Sequence, residues 1–485
     1  MKTDGLVTTI GLEMHVELAT RTKMFCGCLV AFGGEPNTRV CPVCLGLPGS
    51  LPVPNQRAVA FVTKIARALS CQIAPSSVFH RKNYFYPDMP KNYQISQYDL
   101  PLGVAGHLDV DVDRETRRIG ITRVHLEEDT GKSIHVGVGG RIHEAEYSLE
   151  DFNRAGTPLV EIVTEPDLRS ADEARIFAQE LRSILEYLAV SDVRMEEGSL
   201  RFDANISVAA SGERGTKVEV KNMNSLRSLH RALAYEEQRQ GAAVADGVAL
   251  EQSTRHWDEK AQVTKPLRTK EYAFDYRYFP EPDLVPMEPG ADWLGDVEAE
   301  LPELPSIRRT RLGAELGLRP ADAAVITSSR AVADFYEAAV AAAQHADARQ
   351  VANWVVNELL GALSDRGEDV ASGLVSPATL AALVDLVVEG AISGNQGKEV
   401  LVQMLASGRA PGEIVDELRI RQVSDRSELE RAVDEAIAAN PDVAEKIRGG
   451  EAKPIGFLVG QVMRATGGTA NPAVVNELIR ERLGA

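Results

Sequence analysis

A proline-punctuated segment, Glu298–Pro305, divides this 485-residue sequence into two parts of different character. Before it, short runs typical of β-strands alternate with turns, and only two clear helices interrupt them, at about Arg57–Leu69 and after Ser170. Because this order lacks the regular strand-helix-strand rhythm of a doubly wound sheet, we predict an α+β fold with a mixed or antiparallel sheet. After the segment, the apolar pattern is almost wholly helical.

The helical part contains a second joint, Ser407–Gly412, where glycine and proline interrupt the helical pattern. We therefore predict a first domain at residues 1–296, an all-α helical domain at 297–407 and a small helical tail domain at 408–485. The sequence contains neither a signal peptide nor an apolar run of about eighteen residues, the length needed to cross a membrane. We expect a soluble, cytoplasmic protein.

The residues Thr9–Leu18, TIGLEMHVEL, alternate apolar and polar side chains so strictly that they predict a strand with one buried face. The polar face carries Glu13, His15 and Glu17, and a face of this kind either meets water or binds a cation. Periodicity alone leaves these two interpretations equal.

Acidic residues recur on several other predicted strands of the first domain. Glu127, Glu128 and Asp129 end the run RVHLEED, and Glu161 lies in an apolar run where an unpaired carboxylate would cost several kcal/mol. Asp203 and Glu219 lie on two further alternating strands. Together these acids predict a sheet that presents carboxylates inward, as a nucleotide site built on magnesium requires. Solvated turns and exposed strand faces are the alternatives.

The formal net charge of -18 argues against a protein that coats nucleic acid through bulk electrostatics. It is compatible with binding magnesium ions or docking on other subunits. The predicted tail domain nevertheless carries four cations that could contact phosphates, Lys453, Arg464, Arg480 and Arg482. A solvated helical face explains these four residues at least as well.

Four of the five cysteines lie within nineteen positions, as Cys26, Cys28, Cys41 and Cys44. Two close pairs separated by twelve residues have the spacing of a tetrahedral zinc site, and four thiolates leave no open position for catalysis. We predict a structural zinc site in an insert at residues 26–44. A redox pair and unligated buried thiols are the competing interpretations.

Aromatic residues are scarce but gather in two patches. The first patch interleaves its rings with Arg81, Lys82 and Lys91, which suits stacking on a base together with contact to phosphate. A tyrosine-rich edge of the core is an equally good interpretation. The patches are Tyr84, Phe85, Tyr86, Tyr93 and Tyr98, and then Tyr272, Phe274, Tyr276, Tyr278 and Phe279.

A set of motifs resembles the B subunits of bacterial aspartyl/glutamyl-tRNA amidotransferases, from near residue 7 to the C-terminus. The motifs are IGLEMHVEL, CPVCLGLPG, RKNYFYPDMPKNYQISQYD, HLEEDTGKS, NRAGTPLVEIVTEPD, MEEGSLRFDANIS, EVKNMNS and DYRYFPEPDL. The resemblance implies that the first domain is a catalytic cradle of the glutamine synthetase/guanidino kinase-like fold. It implies that the remaining residues form a helical domain and a tRNA-binding tail. The run at residues 137–145 lengthens a turn relative to the family.

The resemblance also implies a reaction and its site. ATP would phosphorylate the side-chain carboxylate of Glu-tRNA(Gln) or Asp-tRNA(Asn), and ammonia would then displace the phosphate. Magnesium would be surrounded by Glu13, His15, Glu128 and Glu161, with Glu127, Asp203 and Glu219 nearby. Ammonia would enter at Lys82 and Lys91.

The chain lacks the serine-rich signature of an amidase and any cysteine-nucleophile arrangement, so we expect a partner to supply the ammonia. In the family this partner is the amidase A subunit, and a small C subunit holds the two chains together. Two rival hypotheses remain from the sequence. The chain could be a non-catalytic tRNA-binding scaffold, or a ligase acting on free amino acids, which would need no tail.

Overall fold

The structure, a computed structural model, divides the chain into two compact units, Met1–Leu304 and Pro305–Ala485. It describes residues 5–113, 115–137, 145–213, 215–268, 273–420, 426–451, 453–466 and 470–484. Most of the lengthened turn at 137–145, namely residues 138–144, therefore lies outside the described residues, as does Tyr272.

The first unit is built on a nine-stranded mixed sheet with the order β13-β12-β11-β10-β1-β9-β6-β5-β2. Neighbouring strands are antiparallel except β11 and β12, which are parallel, in agreement with the predicted α+β class. A three-stranded sheet, β14-β3-β4, and a two-stranded ribbon, β7-β8, complete it. The strands are β1 Leu6–Glu17, β2 Gln72–Ile73, β3 Phe79–Asn83, β4 Tyr93–Gln97, β5 Gly103–Val112, β6 Glu115–Glu128, β7 Lys132–Gly137, β8 Ala145–Asp151, β9 Pro158–Thr164, β10 Leu200–Ala210, β11 Val218–Met223, β12 Ser253–Asp258, β13 Val263–Arg268 and β14 Phe279–Pro280.

The apolar face of β1 forms the centre of the core, as its alternation predicts. Leu12, Met14, Val16 and Leu18 are each no more than 2% exposed. They belong to one apolar cluster with the buried faces of three helices, α1 Gln56–Ala68, α2 Ala171–Tyr187 and α3 Leu226–Ala245. Each helix begins at a side chain that accepts backbone N–H bonds, Asn55, Ser170 and Ser225 respectively. The opposite, polar face of β1 therefore lies outside the apolar core and is free to form a site.

The prediction of only two helices in this region is wrong, because α3 is a third and α4, Ala291–Ala299, begins just before the joint. In α3 the apolar stripe stops after Leu233, and the next buried positions are Glu236 and Gln240. Glu236 bonds to Arg239, and Gln240 donates to Glu236 and accepts from a backbone N–H of β10. Because polar residues occupy part of its buried face, the sequence of α3 lacks the regular apolar spacing that predicts a helix.

The second unit is helical throughout its described regular elements, as the sequence predicts. The helical run from Ala348 to Ser364 passes through one π-helical turn, Val355–Leu359. No described helix combines the length and the apolar character needed to cross a membrane. The α-helices are α5 Pro305–Leu316, α6 Pro320–Ile326, α7 Arg330–Ala342, α8 Ala348–Trp354, α9 Leu360–Ser364, α10 Pro377–Val388, α11 Gly394–Ser407, α12 Pro411–Leu418, α13 Arg426–Ala439, α14 Pro441–Arg448, α15 Ile455–Ala465 and α16 Pro472–Leu483.

Candidate functional site

The polar face of β1 meets acidic side chains from both neighbouring strands. In the β1–β9 register His15 lies opposite Glu161, and in the β1–β10 register Glu13 lies opposite Asp203. Residues directly opposite each other in an antiparallel pair share a face, so these four side chains converge. Glu127, from β6, completes what we call the acidic cluster, which consists of Glu13, His15, Glu127, Glu161 and Asp203.

His15 lies at the centre of the acidic cluster. Its Nε2 atom is 3.6 Å from Glu13 Oε1, 3.6 Å from Glu161 Oε2 and 3.9 Å from Glu127 Oε1. Burial alone would lower the pKa of His15, but its hydrogen bond to Glu161 and the surrounding carboxylates raise it to about 9. Without a bound cation, a protonated imidazole therefore holds the carboxylates together.

The donor set of the acidic cluster fits a divalent cation. Two overlapping triads, Glu13 with His15 and Asp203, and His15 with Glu127 and Glu161, each place their ligand atoms within 4.8 Å of one another. Burial and the charge of Glu161 raise the pKa of Glu13, which indicates an excess of negative charge at this point. Carboxylate oxygens are the ligands that magnesium prefers, and the imidazole of His15 could join them only after losing its proton. These residues could hold such an ion.

Cations border the acidic cluster on several sides. Lys221 Nζ lies 2.6 Å from Asp203 Oδ2 and 3.6 Å from Glu219 Oε1, and Arg123 Nη2 lies 2.7 Å from Glu161 Oε1. Lys82 is half-buried near Glu127 and Glu161, whose charges outweigh its desolvation and raise its pKa. The site therefore combines carboxylates for a metal with fixed ammonium and guanidinium groups.

The acidic cluster opens into a cavity of about 510 Å³, which we call the acidic cavity. His15, Lys82, Glu127, Asp203 and Lys221 contribute to its floor and walls. Loops at residues 195–198 and 222–224 form its rim. A cavity that joins metal ligands to fixed cations can bind an anionic substrate together with its metal ion.

Comparisons with known proteins agree with this geometry. A family model described as "GatB/GatE catalytic domain" matches residues 8–295, a span that contains the whole acidic cluster, and one described as "GatB domain" matches residues 334–483. Three curated relatives are each named as the B subunit of an aspartyl/glutamyl-tRNA(Asn/Gln) amidotransferase. They come from Moorella thermoacetica (56% identical, covering 98% of this chain and 99% of the relative), Carboxydothermus hydrogenoformans (50%, 98% and 98%) and Geobacter sulfurreducens (50%, 98% and 98%).

This chain belongs to the family of amidotransferase B subunits. The resemblance noted in its motifs is thereby confirmed over nearly its full length. The family name implies a complex of several subunits, so further chains are expected on its surface.

Glu128, which the family resemblance predicts as a magnesium ligand, lies on the face of the sheet opposite the acidic cluster. Side chains alternate along β6, so Glu127 joins the acidic cluster while Glu128 forms an ion pair with Lys91 and accepts from the Ile95 amide at 3.0 Å. The pair borders a separate cavity of about 290 Å³ that also contacts Cys26 and Cys44. The two predicted ammonia-entry lysines therefore lie in different cavities, Lys82 in the acidic cavity and Lys91 in this second one.

The four predicted zinc ligands converge. One sulfur atom from each of Cys26, Cys28, Cys41 and Cys44 lies within 4.8 Å of the others. A hydrogen bond from Cys26 is the largest cause of a pKa of about 4 for Cys44, while burial raises the pKa of Cys28 to about 11. Four thiols at this separation suit a tetrahedral metal ion such as zinc, which would take the place of their shared protons.

A second buried charge network lies next to the acidic cluster on the same face. Asp129, 4% exposed, contacts Arg201 and Arg154, at 3.1 and 3.7 Å. Burial and the charge of Asp129 raise the pKa of Glu17 to about 8, and Glu17 bonds to Asp129. Sequence reasoning assigned no role to Arg201, Arg154 or Glu17. The signal was present, since Arg201 precedes Asp203 by two residues and so shares its face.

Sequence reasoning also missed His125 and Arg123. Both lie on β6 at even spacings before Glu127, so the run RVHLEED already placed them on its face. His125 Nε2 lies 3.7 Å from Glu161 Oε2, and Arg123 bonds to the same carboxylate. Glu161 thus has the partners that a buried carboxylate requires.

The remaining predicted residues lie apart from the acidic cluster. Glu219 is buried and accepts a 2.8 Å bond from Thr254. Tyr84, Phe85 and Tyr276 line an open groove of about 1010 Å³ that shares Lys82 with the acidic cavity. In the second unit Lys453 and Arg464 are exposed, Arg480 bonds to Asn476, and Arg482 forms an ion pair with Asp434.

Proposed function

We propose that this chain is the subunit that phosphorylates and then amidates the side-chain carboxylate of Glu-tRNA(Gln), Asp-tRNA(Asn) or both. The observation that carries the proposal is the acidic cluster, in which carboxylates from four strands and one imidazole converge beside fixed cations in one cavity. The name of the curated relatives, which specifies both tRNAs, supports the substrate. We further propose the cradle fold of glutamine synthetase and guanidino kinases for residues 1–296.

A carboxylate does not react with ammonia until one of its oxygens becomes a good leaving group. In the proposed first step a side-chain carboxylate oxygen attacks the γ-phosphorus of ATP, and the bond to the β–γ bridging oxygen breaks, so that ADP leaves with the electron pair. In the second step ammonia attacks the acyl carbon and inorganic phosphate departs, while the added nitrogen loses a proton. Catalysis of both steps depends on positioning and on neutralising oxygen charge.

The acidic cluster would hold magnesium through Glu13, His15, Glu127, Glu161 and Asp203. When bound, the ion neutralises phosphate charge. The protein's own groups then have distinct tasks. Lys221 fixes Asp203, and Arg123 with His125 fixes Glu161, so the ligand oxygens are held in place before substrate binds. For Glu128 and Glu219, metal contact stays a prediction.

We propose that ammonia reaches the acidic cavity past Lys82, which also lines the open aromatic groove. Lys91, paired with Glu128 in the second cavity, would lie earlier on that route. A partner amidase A subunit would release the ammonia from glutamine, and a small C subunit would join the two chains. The zinc site would stabilise the insert at residues 26–44, and the tail at 408–485 would bind tRNA through Lys453, Arg464, Arg480 and Arg482.

Substitution of Glu13 or Glu161 by alanine tests the proposal in the assembled complex. Each change should lower ATP cleavage stimulated by charged tRNA at least about 10²-fold, because a ligand to the phosphate-bound metal is lost. Glutamine hydrolysis by the complex should persist. The matched control is Glu115→Ala, since Glu115 lies on β6 but is exposed and pairs only with Arg117 among the described residues. Unchanged ATP cleavage in Glu13→Ala would contradict the proposal and favour a tRNA-binding scaffold.

A further inference from the structure

The guanidinium of Arg201 is only partly hydrogen-bonded by the described residues. Its Nη2 atom donates to Asp129 Oδ2 at 3.1 Å. Its Nε atom is buried and has no hydrogen-bond partner among the residues that the structure describes. An unpaired buried N–H of a charged group costs free energy, and a ligand that completes its bonding recovers it.

Other arginines of the same unit show what a closed contact looks like. Arg118 donates from Nε and Nη2 to both oxygens of Asp109, at 2.8 and 2.9 Å. Arg81 does the same with Glu281, at 2.7 and 2.8 Å. In both pairs the forked edge of the guanidinium is fully used. At Arg201 only half of that edge is used, because Asp129 also lies against Arg154.

The position of Arg201 in the sheet brings its partly bonded guanidinium next to the acidic cluster. Arg201 lies opposite His15 in the β1–β10 register, two residues from Asp203, and its side chain is 40% exposed. It lines the acidic cavity together with Lys82 and Lys221. A ligand that enters the cavity therefore meets Arg201 on the side of the metal-ligand carboxylates.

Of the three cations that the described residues contribute to the acidic cavity, Arg201 is the one best placed to bind an anion. Lys221 contacts two carboxylates, those of Asp203 and Glu219. Lys82 lies under the charges of Glu127 and Glu161. Arg201 shares a single carboxylate, Asp129, with a second arginine. Arg201 is also the one of the three with a guanidinium fork, which matches the oxygens of a phosphoryl group, and its side chain is partly exposed where it lines the cavity.

We propose that Arg201 binds the oxygens of the phosphoryl group during its transfer to the carboxylate, which makes it a catalytic residue. The inference rests on the proposed kinase function and deepens it. Its ligand class is the terminal phosphoryl group of a nucleoside triphosphate and the acyl phosphate formed from it. Asp129 is a positioning residue, because it holds one corner of the guanidinium while the exposed part of the Arg201 side chain lines the cavity.

The test compares Arg201→Ala and Arg201→Lys with the control Arg118→Ala in the assembled complex. Arg118 is an exposed arginine of the same sheet, and it does not line the acidic cavity. ATP cleavage stimulated by charged tRNA is measured at saturating ATP, and glutamine hydrolysis reports assembly. We expect kcat to fall about 10²- to 10³-fold in Arg201→Ala, as for loss of a donor to a transition-state oxygen. Arg201→Lys should lose less, since it keeps the charge but not the fork.

Chemical rescue separates a catalytic role from a structural one. Added guanidinium ion should restore part of the activity of Arg201→Ala and none of the activity of Glu13→Ala. A kcat in Arg201→Ala equal to that of the Arg118→Ala control would overturn the inference, as would the absence of rescue. Loss of glutamine hydrolysis in Arg201→Lys would also overturn it, since the role would then be structural. Failure of the kinase proposal is distinguishable, because in that case Glu13→Ala itself would keep full activity.

Discussion

Glu127 and Glu128 are adjacent in the chain, yet they belong to two different sites. Glu127 lies beside His15 in the acidic cluster, where carboxylates outnumber the imidazole that joins them. Glu128 lies beside Lys91, where one cation matches one carboxylate, next to the cysteine cluster. The first site is the proposed magnesium site, whereas in the second the two charges balance within the protein. A strand period of two residues is enough to place adjacent carboxylates in two different cavities.

The largest expected effect is a difference in ATP cleavage between variants of these two carboxylates. Glu127→Gln should lower ATP cleavage stimulated by charged tRNA by about 10²-fold, because it removes a charge beside the metal triad. Glu128→Gln should leave ATP cleavage nearly intact but reduce the amide formed per ATP cleaved. Both quantities can be measured in one reaction with labelled ATP and glutamine. Equal losses of ATP cleavage in the two variants would show that Glu128 also contacts the metal, as the family resemblance implies.

Loss of one charged side chain should lower the stability of the protein more at the Lys91–Glu128 pair than at the acidic cluster. Both side chains are nearly buried, at 6% and 3% exposed, so Lys91→Met leaves a buried carboxylate without its partner. The cost of such a change is about 3–5 kcal/mol. Thermal unfolding should show a clearly lower Tm for Lys91→Met, and the double variant Lys91→Met with Glu128→Gln should recover part of it. A Tm equal to that of the unaltered chain would indicate that water already reaches the pair.

Removal of metal should separate the acidic cluster from the cysteine cluster. A strong chelator of zinc, followed by addition of magnesium alone, should lower the Tm while leaving ATP cleavage at the assay temperature largely intact, since a thiolate cage offers no open position. Cys44→Ser should reproduce this loss, and elemental analysis should find less zinc. A sample that contains no zinc and loses no stability on chelation would contradict the cage.

The smallest expected effect concerns Glu17, at the border between the acidic cluster and Asp129. Burial and Asp129 raise its pKa to about 8, so the folded state disfavours the ionised form. Its contribution to stability therefore declines as pH rises from the ordinary value of 4.5 to about 8. Glu17→Gln cannot ionise, and its Tm advantage over the unaltered chain should grow between about pH 5 and pH 8. A difference that does not change with pH, relative to the exposed control Glu115→Gln, would count against this shift.

Local patterns predicted much of the fold. The alternation in Thr9–Leu18 indicated the buried face of β1, and the helix predicted after Ser170 is α2, which begins at Ala171. Local patterns failed where the buried face is polar, as in α3, because hydrogen bonds there replace apolar contacts. They could not predict strand order either, since the pairing of β1 with β9 and β10 depends on the whole sheet.

The residues of the candidate site were likewise predicted only in part from local sequence. Glu13, His15 and Glu161 were predicted, and the structure brings them together. The partner of Glu128 was not, because Lys91 is 37 residues away and lies outside the strand that carries Glu128. Arg201 was passed over although its spacing from Asp203 placed it on the same face, because local sequence does not reveal its partner. Its contact with Asp129, 72 residues away, exists only in the folded chain.

The central place of β1 in the sheet has a consequence for synthesis of the chain on the ribosome. β1 is made before both of its partners: its Leu12 amide donates to Thr164 of β9, 152 residues later, and its other edge pairs with β10. At ordinary rates of translation the interval before β10 emerges is roughly 10–40 s. Until β9 emerges, β1 has two unpaired edges and an apolar face without its core, and one edge stays unpaired until β10 is made. We therefore expect the nascent first unit to depend on chaperones that bind exposed apolar strands until β10 is complete.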